Sequence, residues 1–266
     1  MDGAHPHPCD ATILRVMERC CTLRDLVSVC INIQNSTNNS VFLRHVHQFR
    51  NLQHLHLVLR ETTAADIRHL QAVRSLTTIS LELVLLRVDA AVAAALASLS
   101  VLPELASVKL KFLSVDMDAG TLWTILTLCY TTKQLLVFCL YATASCESSD
   151  ELLETARRMG QRTDSSVRDL TFTVIDEYTT ATAVEALVEA ITVMPCLRKV
   201  DLSIIIDDLT ASGVALLGRI GCMAQVQTLS VGLEWDTLTY RVTVSPAMIR
   251  GLLASCATNR MLHFLF

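Results

Sequence analysis

The sequence predicts an α/β solenoid: a succession of similar units, each a helix, a short connection, a strand and a loop. Three observations predict it. An L-x-x-L-x-L-like triple of apolar residues occurs nine times across 266 residues. Between triples the apolar spacing changes from a period of two to one near 3.6, the mark of strands alternating with helices. Residues suited to starting and stopping helices stand at the changes of period.

The triples, in order, are Leu26/Val29/Ile31, Leu52/Leu55/Leu57, Leu76/Ile79/Leu81, Leu105/Val108/Leu110 and Leu135/Phe138/Leu140. They continue with Val167/Leu170/Phe172, Leu197/Val200/Leu202, Val226/Leu229/Val231 and Met261/Phe264/Phe266. Their first positions are 24 to 35 residues apart, with a mean of about 29. A single match carries no weight, but nine in near-regular register define a repeat. Helices are predicted over residues 90–99, 121–128, 184–193 and 214–220. Ser148-Ser149-Asp150-Glu151 reads as a capping box, and Ser245-Pro246 as an N-cap before a first-turn proline. Gly160 and Gly221 lie where helices should stop. Asp207-Asp208 reads best as the cap of a helix beginning near Thr210, with metal-ligating carboxylates as the alternative. Residues 1–11 are expected to form a short tail and residues 12–266 one solenoid domain.

Composition narrows the function classes. Apolar residues make up 52% and charged residues 18%, so the chain is expected to fold around a large core. The formal net charge is −4 with both signs interspersed, which gives no basic stripe for nucleic acid. The longest apolar run, residues 90–102, is broken by Ser98 and Ser100 and falls short of the roughly 18 residues a membrane span needs. "MDGAHPHPCD" lacks the basic and apolar regions of a secretory signal, so a cytoplasmic location with reduced cysteines is expected. No phosphate-loop, dinucleotide, nucleophile-elbow or zinc-protease motif occurs, and no cofactor is expected. Cys20-Cys21 has no C-x-x-C companion.

The triples and their period resemble the leucine-rich repeat family, in particular its ribonuclease-inhibitor-like branch. Similar repeats occur in Ran GTPase-activating proteins and in NLR immune receptors. The resemblance implies a curved solenoid with a parallel sheet on the concave side and helices on the convex side, about nine repeats in all. One departure is systematic. The family usually places Asn or Cys three residues after the last leucine of the triple, and here those positions hold Gln34, Arg60, Val84, Leu113, Thr143, Ile175, Ile205 and Glu234. The turns must therefore be satisfied by other groups, and "LVLL" at 83–86 and "III" at 204–206 suggest added apolar packing there.

"RHVHQFRNLQHLHLVLR", residues 44–60, holds four of the eight histidines and raises the question of a metal. His45 and His47 are expected on a helix, where a two-residue step turns them about 200° apart. His54 and His56 share one face of a strand, about 7 Å apart, with Cys30 and Glu82 the nearest further ligands that adjacent strands could bring. Zinc wants about four ligands. A metal-dependent enzyme built on His54 and His56 is thus one alternative, against a solvated or partner-facing pair of imidazoles.

The outward strand positions are the expected working surface: His54, His56, Ser80, Glu82, Lys109, Lys111, Tyr141, Asp169, Lys199 and Asp201 chief among them. Mixed charge with small polar groups suits a protein partner better than a catalytic cleft. The long last interval holds Trp235 and Tyr240, which reads as an insertion with aromatic side chains, and Phe264 and Phe266 close an apolar final strand. Protein partners are therefore expected on the concave face and at the C-terminal end. The expected role is a non-enzymatic interaction scaffold or recognition module within a larger receptor, adaptor or complex. A GTPase-binding or GTPase-activating-type regulator is the alternative that the resemblance brings.

Overall fold

A computed structural model describes residues 15, 19, 25–33, 36–85, 87–115, 117–144, 149–174, 181–205, 219, 225–234 and 261–265. The strands are β1 (Ser28–Ile33), β2 (His54–Arg60), β3 (Thr78–Val84), β4 (Ser107–Val115) and β5 (Val137–Ala144). They continue as β6 (Asp169–Val174), β7 (Lys199–Ile205), β8 (Thr228–Glu234) and β9 (Met261–Leu265). These nine form one sheet in which spatial order is sequence order and every pairing is parallel. The molecule is an α/β protein of solenoid-like build.

The register follows the triples. Leu55 pairs with Ile79, Ile79 with Val108, Val108 with Phe138, Phe138 with Leu170, Leu170 with Val200 and Val200 with Leu229. Strict alternation explains this: a one-residue slip would turn each strand's apolar set away from the core. β2 and β3 alternate between buried and more exposed positions along their whole length. A fourth buried position extends the triple at Leu59, Leu83, Phe112 and Ala142, and Leu85 is buried just beyond β3. Apolar packing thus continues to the strand ends, as "LVLL" suggests. Phe112, Phe138 and Phe172, on three successive strands, are fully buried. Past Phe112 the β4–β5 register shifts.

The strand starts are tied by a recurring backbone device. Val27, Gln53, Thr77, Ala106, Leu136, Arg168 and Arg198 each accept two N–H bonds through one carbonyl oxygen, both donated by consecutive residues of the next unit. Gln53 N and His54 N, for instance, donate to the Val27 carbonyl at 2.8 and 2.9 Å. Each unit is therefore held mainly by its neighbours, as in solenoids generally.

The second layer contains α1 (Ser36–His45), α2 (Ala64–Arg68), α3 (Ala90–Ala97), α4 (Ala119–Leu126), α5 (Leu128–Thr131), α6 (Ser149–Gly160) and α7 (Ala181–Thr192). The helix predicted over 90–99 ends in a 3₁₀ segment, Ser98–Val101. That predicted over 121–128 is interrupted at Thr127, whose hydroxyl donates back to the Thr124 carbonyl at 2.6 Å. The helix predicted over 184–193 begins earlier, at Ala181. Gly160 is the last residue of α6. The predicted helix at 214–220 (apart from Arg219), Asp207-Asp208 and Ser245-Pro246 lie outside the described residues.

Three helices begin at a side-chain cap. Thr63 and Asp66 form a reciprocal capping box, while Asp89 accepts from Val92 N at 2.8 Å and Asp118 from Thr121 N at 2.7 Å. Each satisfies an otherwise unpaired first-turn donor. Asp89→Ala or Asp118→Ala should lower stability by about 1 kcal/mol, and Asp→Asn at either site by much less. Urea unfolding of the four variants checks this.

Asn39 on α1 is fully buried and donates through Nδ2 to the Arg60 carbonyl, with Thr62 Oγ1 at 3.3 Å. Farther along, Ser75 Oγ donates to the Leu52 carbonyl at 2.7 Å and Ser166 Oγ to the Leu135 carbonyl at 2.9 Å. These two serine bonds lie before the strands, whereas Asn39 serves the end of β2. Among the described residues no helix is long and apolar enough to cross a membrane.

Candidate functional site: the open sheet face

Because the triples point inward, the intervening strand residues line the other face of the sheet. Cys30 lies beside His56 and His56 beside Ser80, then Ser80 beside Lys109, Lys109 beside Cys139, Cys139 beside Thr171 and Thr171 beside Asp201. The sheet thus brings together in one layer His54, His56, Ser80, Glu82, Lys109, Lys111, Tyr141, Asp169, Lys199 and Asp201. Their side chains are exposed or half-buried.

Several of these groups are already paired with one another. His56 Nδ1 lies 2.9 Å from Ser80 Oγ. Lys111 Nζ is 3.3 Å from Glu82 across the β3–β4 pairing. Both partners are partly solvated, so this ion pair contributes little to stability. Lys109 Nζ stands 5.3 Å from the centre of the Tyr141 ring, within cation–π reach. The Tyr141 phenol is pushed above its ordinary value, first by burial, then by Cys139 and Asp201, with a hydrogen bond to Thr171 opposing. It stays protonated at neutral pH and can donate a hydrogen bond. The centre of the face is therefore one aromatic side chain set among a cation, a carboxylate, a hydroxyl and a thiol.

The histidine stretch divides as its backbone dictates. His45 is the last residue of α1, with Nδ1 3.0 Å from Gln48 Nε2, and His47 falls in the 3₁₀ segment Val46–Gln48. His54 and His56 lie on β2, with Cys30 lateral to His56, as the strand period requires. Glu82 is instead lateral to Val58 and engaged with Lys111. Among the described residues no three His, Cys, Asp or Glu side chains gather closely enough to hold a metal ion. The described cysteines, Cys30, Cys129, Cys139 and Cys196, are free thiols.

Trp235, Tyr240 and Phe266 lie outside the described residues, whereas Phe264 belongs to β9, in register with Val231. A separate aromatic group sits on the helical side. Trp123 and Tyr130 have ring centres 6.3 Å apart, and the Arg162 guanidinium lies 5.6 Å from the Tyr130 ring centre. Its sequence signal is weak, because Arg162 reaches Tyr130 from a different unit. No family model matches the chain, and no curated protein matches it either.

Proposed function

We propose that the protein is a divergent leucine-rich-repeat solenoid of about nine units that works as a non-enzymatic interaction scaffold or recognition module. One observation carries the reading: a sheet in unbroken sequence order presents a broad face, several of whose polar groups are paired laterally, around the central Tyr141. A face of this kind offers area, mixed charge and an aromatic anchor, the ingredients of protein recognition. On the resemblance, this is the concave side. The protein serves as one part of a larger receptor, adaptor or complex.

Affinity purification from the native source, followed by mass measurement in solution, tests the proposal. The expected result is a stoichiometric protein partner. A monomer recovered repeatedly with none would sink it.

A further inference from the structure

The backbone ladder at the strand starts places Leu136, Arg168 and Arg198 side by side. Arg168 N donates to the Leu136 carbonyl at 2.8 Å, and Arg198 N to the Arg168 carbonyl at 2.7 Å. All three side chains are exposed, Leu136 being one of four large apolar residues that are, among the described residues. Lys133 and Lys199, also exposed, flank them in sequence. Among the described residues, no ion pair involves Lys133, Arg168, Arg198 or Lys199. Asp169, in register with Lys199, is the acidic residue nearest in the ladder. A chain of net charge −4 thus sets at one rim, around an exposed leucine, four cations that form no ion pair among the described residues.

Adjacent like charges on neighbouring strands repel, a cost that an incoming anion removes. Two neighbouring guanidiniums present planar forks, the geometry that carboxylates match with paired hydrogen bonds. We propose that this rim, at the starts of β5, β6 and β7, docks an acidic segment of a protein partner, its carboxylates on Arg168 and Arg198 and an apolar side chain against Leu136. This rests on the interaction reading above and gives that partner a chemical class. Among the described residues the patch holds none of the stacking aromatics with which single-stranded nucleic acid is held. Four cations on a rigid sheet rim, with Asp169 beside them, also differ from the flexible polybasic clusters that bind anionic lipid.

The direct test measures binding of a short fluorescent peptide alternating glutamate and leucine, with single-stranded DNA and phosphatidylserine vesicles as competing probes. The peptide should bind with an affinity that falls as salt rises, and Arg168→Glu with Arg198→Glu should weaken it at least about tenfold. Arg168→Gln with Arg198→Gln serves if the charge reversal disturbs folding, which circular dichroism reports. Absence of peptide binding, unchanged binding by the variants, or tighter binding of DNA or vesicles would overturn the proposal. The two readings fail differently. If only the rim assignment is wrong, the native partner still copurifies equally with the wild-type and charge-reversed proteins. If the interaction reading is wrong, no partner copurifies with either.

Discussion

Ile79→Asp should prevent the protein from folding, whereas Thr78→Asp, one residue earlier on the same strand, should shift stability by no more than about 0.5 kcal/mol. Ile79 is fully buried, between Leu55 on one neighbouring strand and Val108 on the other. A carboxylate there has no cation to pair with and loses its water, a cost of several kcal/mol against a total stability of about 5–15 kcal/mol. Thr78 lies between His54 and Ser107 on the open face, where a new carboxylate stays hydrated. Soluble yield and circular dichroism of the two variants decide the matter. Similar behaviour of both would contradict the two-faced sheet.

Phe138→Ala should destabilise the fold by about 3–5 kcal/mol, the range for removing a large aromatic side chain from a packed core. Phe138 is fully buried on β5 between Val108 and Leu170, and Phe112 and Phe172 occupy the strands on either side. Rigid strands on both sides leave little scope for collapse into the vacated volume. Leu136→Ala, two residues earlier at the exposed rim, is the control and should cost less than about 1 kcal/mol. Urea unfolding gives both values.

The strands and their register were legible because core positions repeat at fixed offsets and parallel pairing aligns equivalent residues. From this followed the placement of His56 between Cys30 and Ser80 and of Glu82 beside Lys111. Helix ends were less legible. The break at Thr127 depends on a hydroxyl returning to its own backbone, and the 3₁₀ segment Ser98–Val101 on how the chain turns back to the sheet. The partner of the carbonyl that ends β2 was harder still to read, since Asn39 reaches Arg60 across 21 positions of sequence. Glu61 takes a left-handed backbone, φ 49°, with nothing in its residue type to signal it.

The open face was legible as a set of positions but only partly as chemistry. In register Lys109 adjoins Cys139, yet its ammonium lies over the ring of Tyr141, two residues farther along the same strand. That choice belongs to side-chain rotamers. The basic rim was missed because Leu136, Arg168 and Arg198 precede the regular strands and share the parity of core positions. Their exposure comes from the turn.

The central claim, that the open face carries the interaction, is tested most directly by copurifying the native partner with a Lys109→Ala, Tyr141→Ala, Asp201→Ala triple variant. These side chains lie outside the buried core, so the variant should keep the wild-type circular dichroism spectrum. The prediction is loss of the partner from this folded variant while the wild-type protein retains it. Equal recovery of the partner with both would contradict the account.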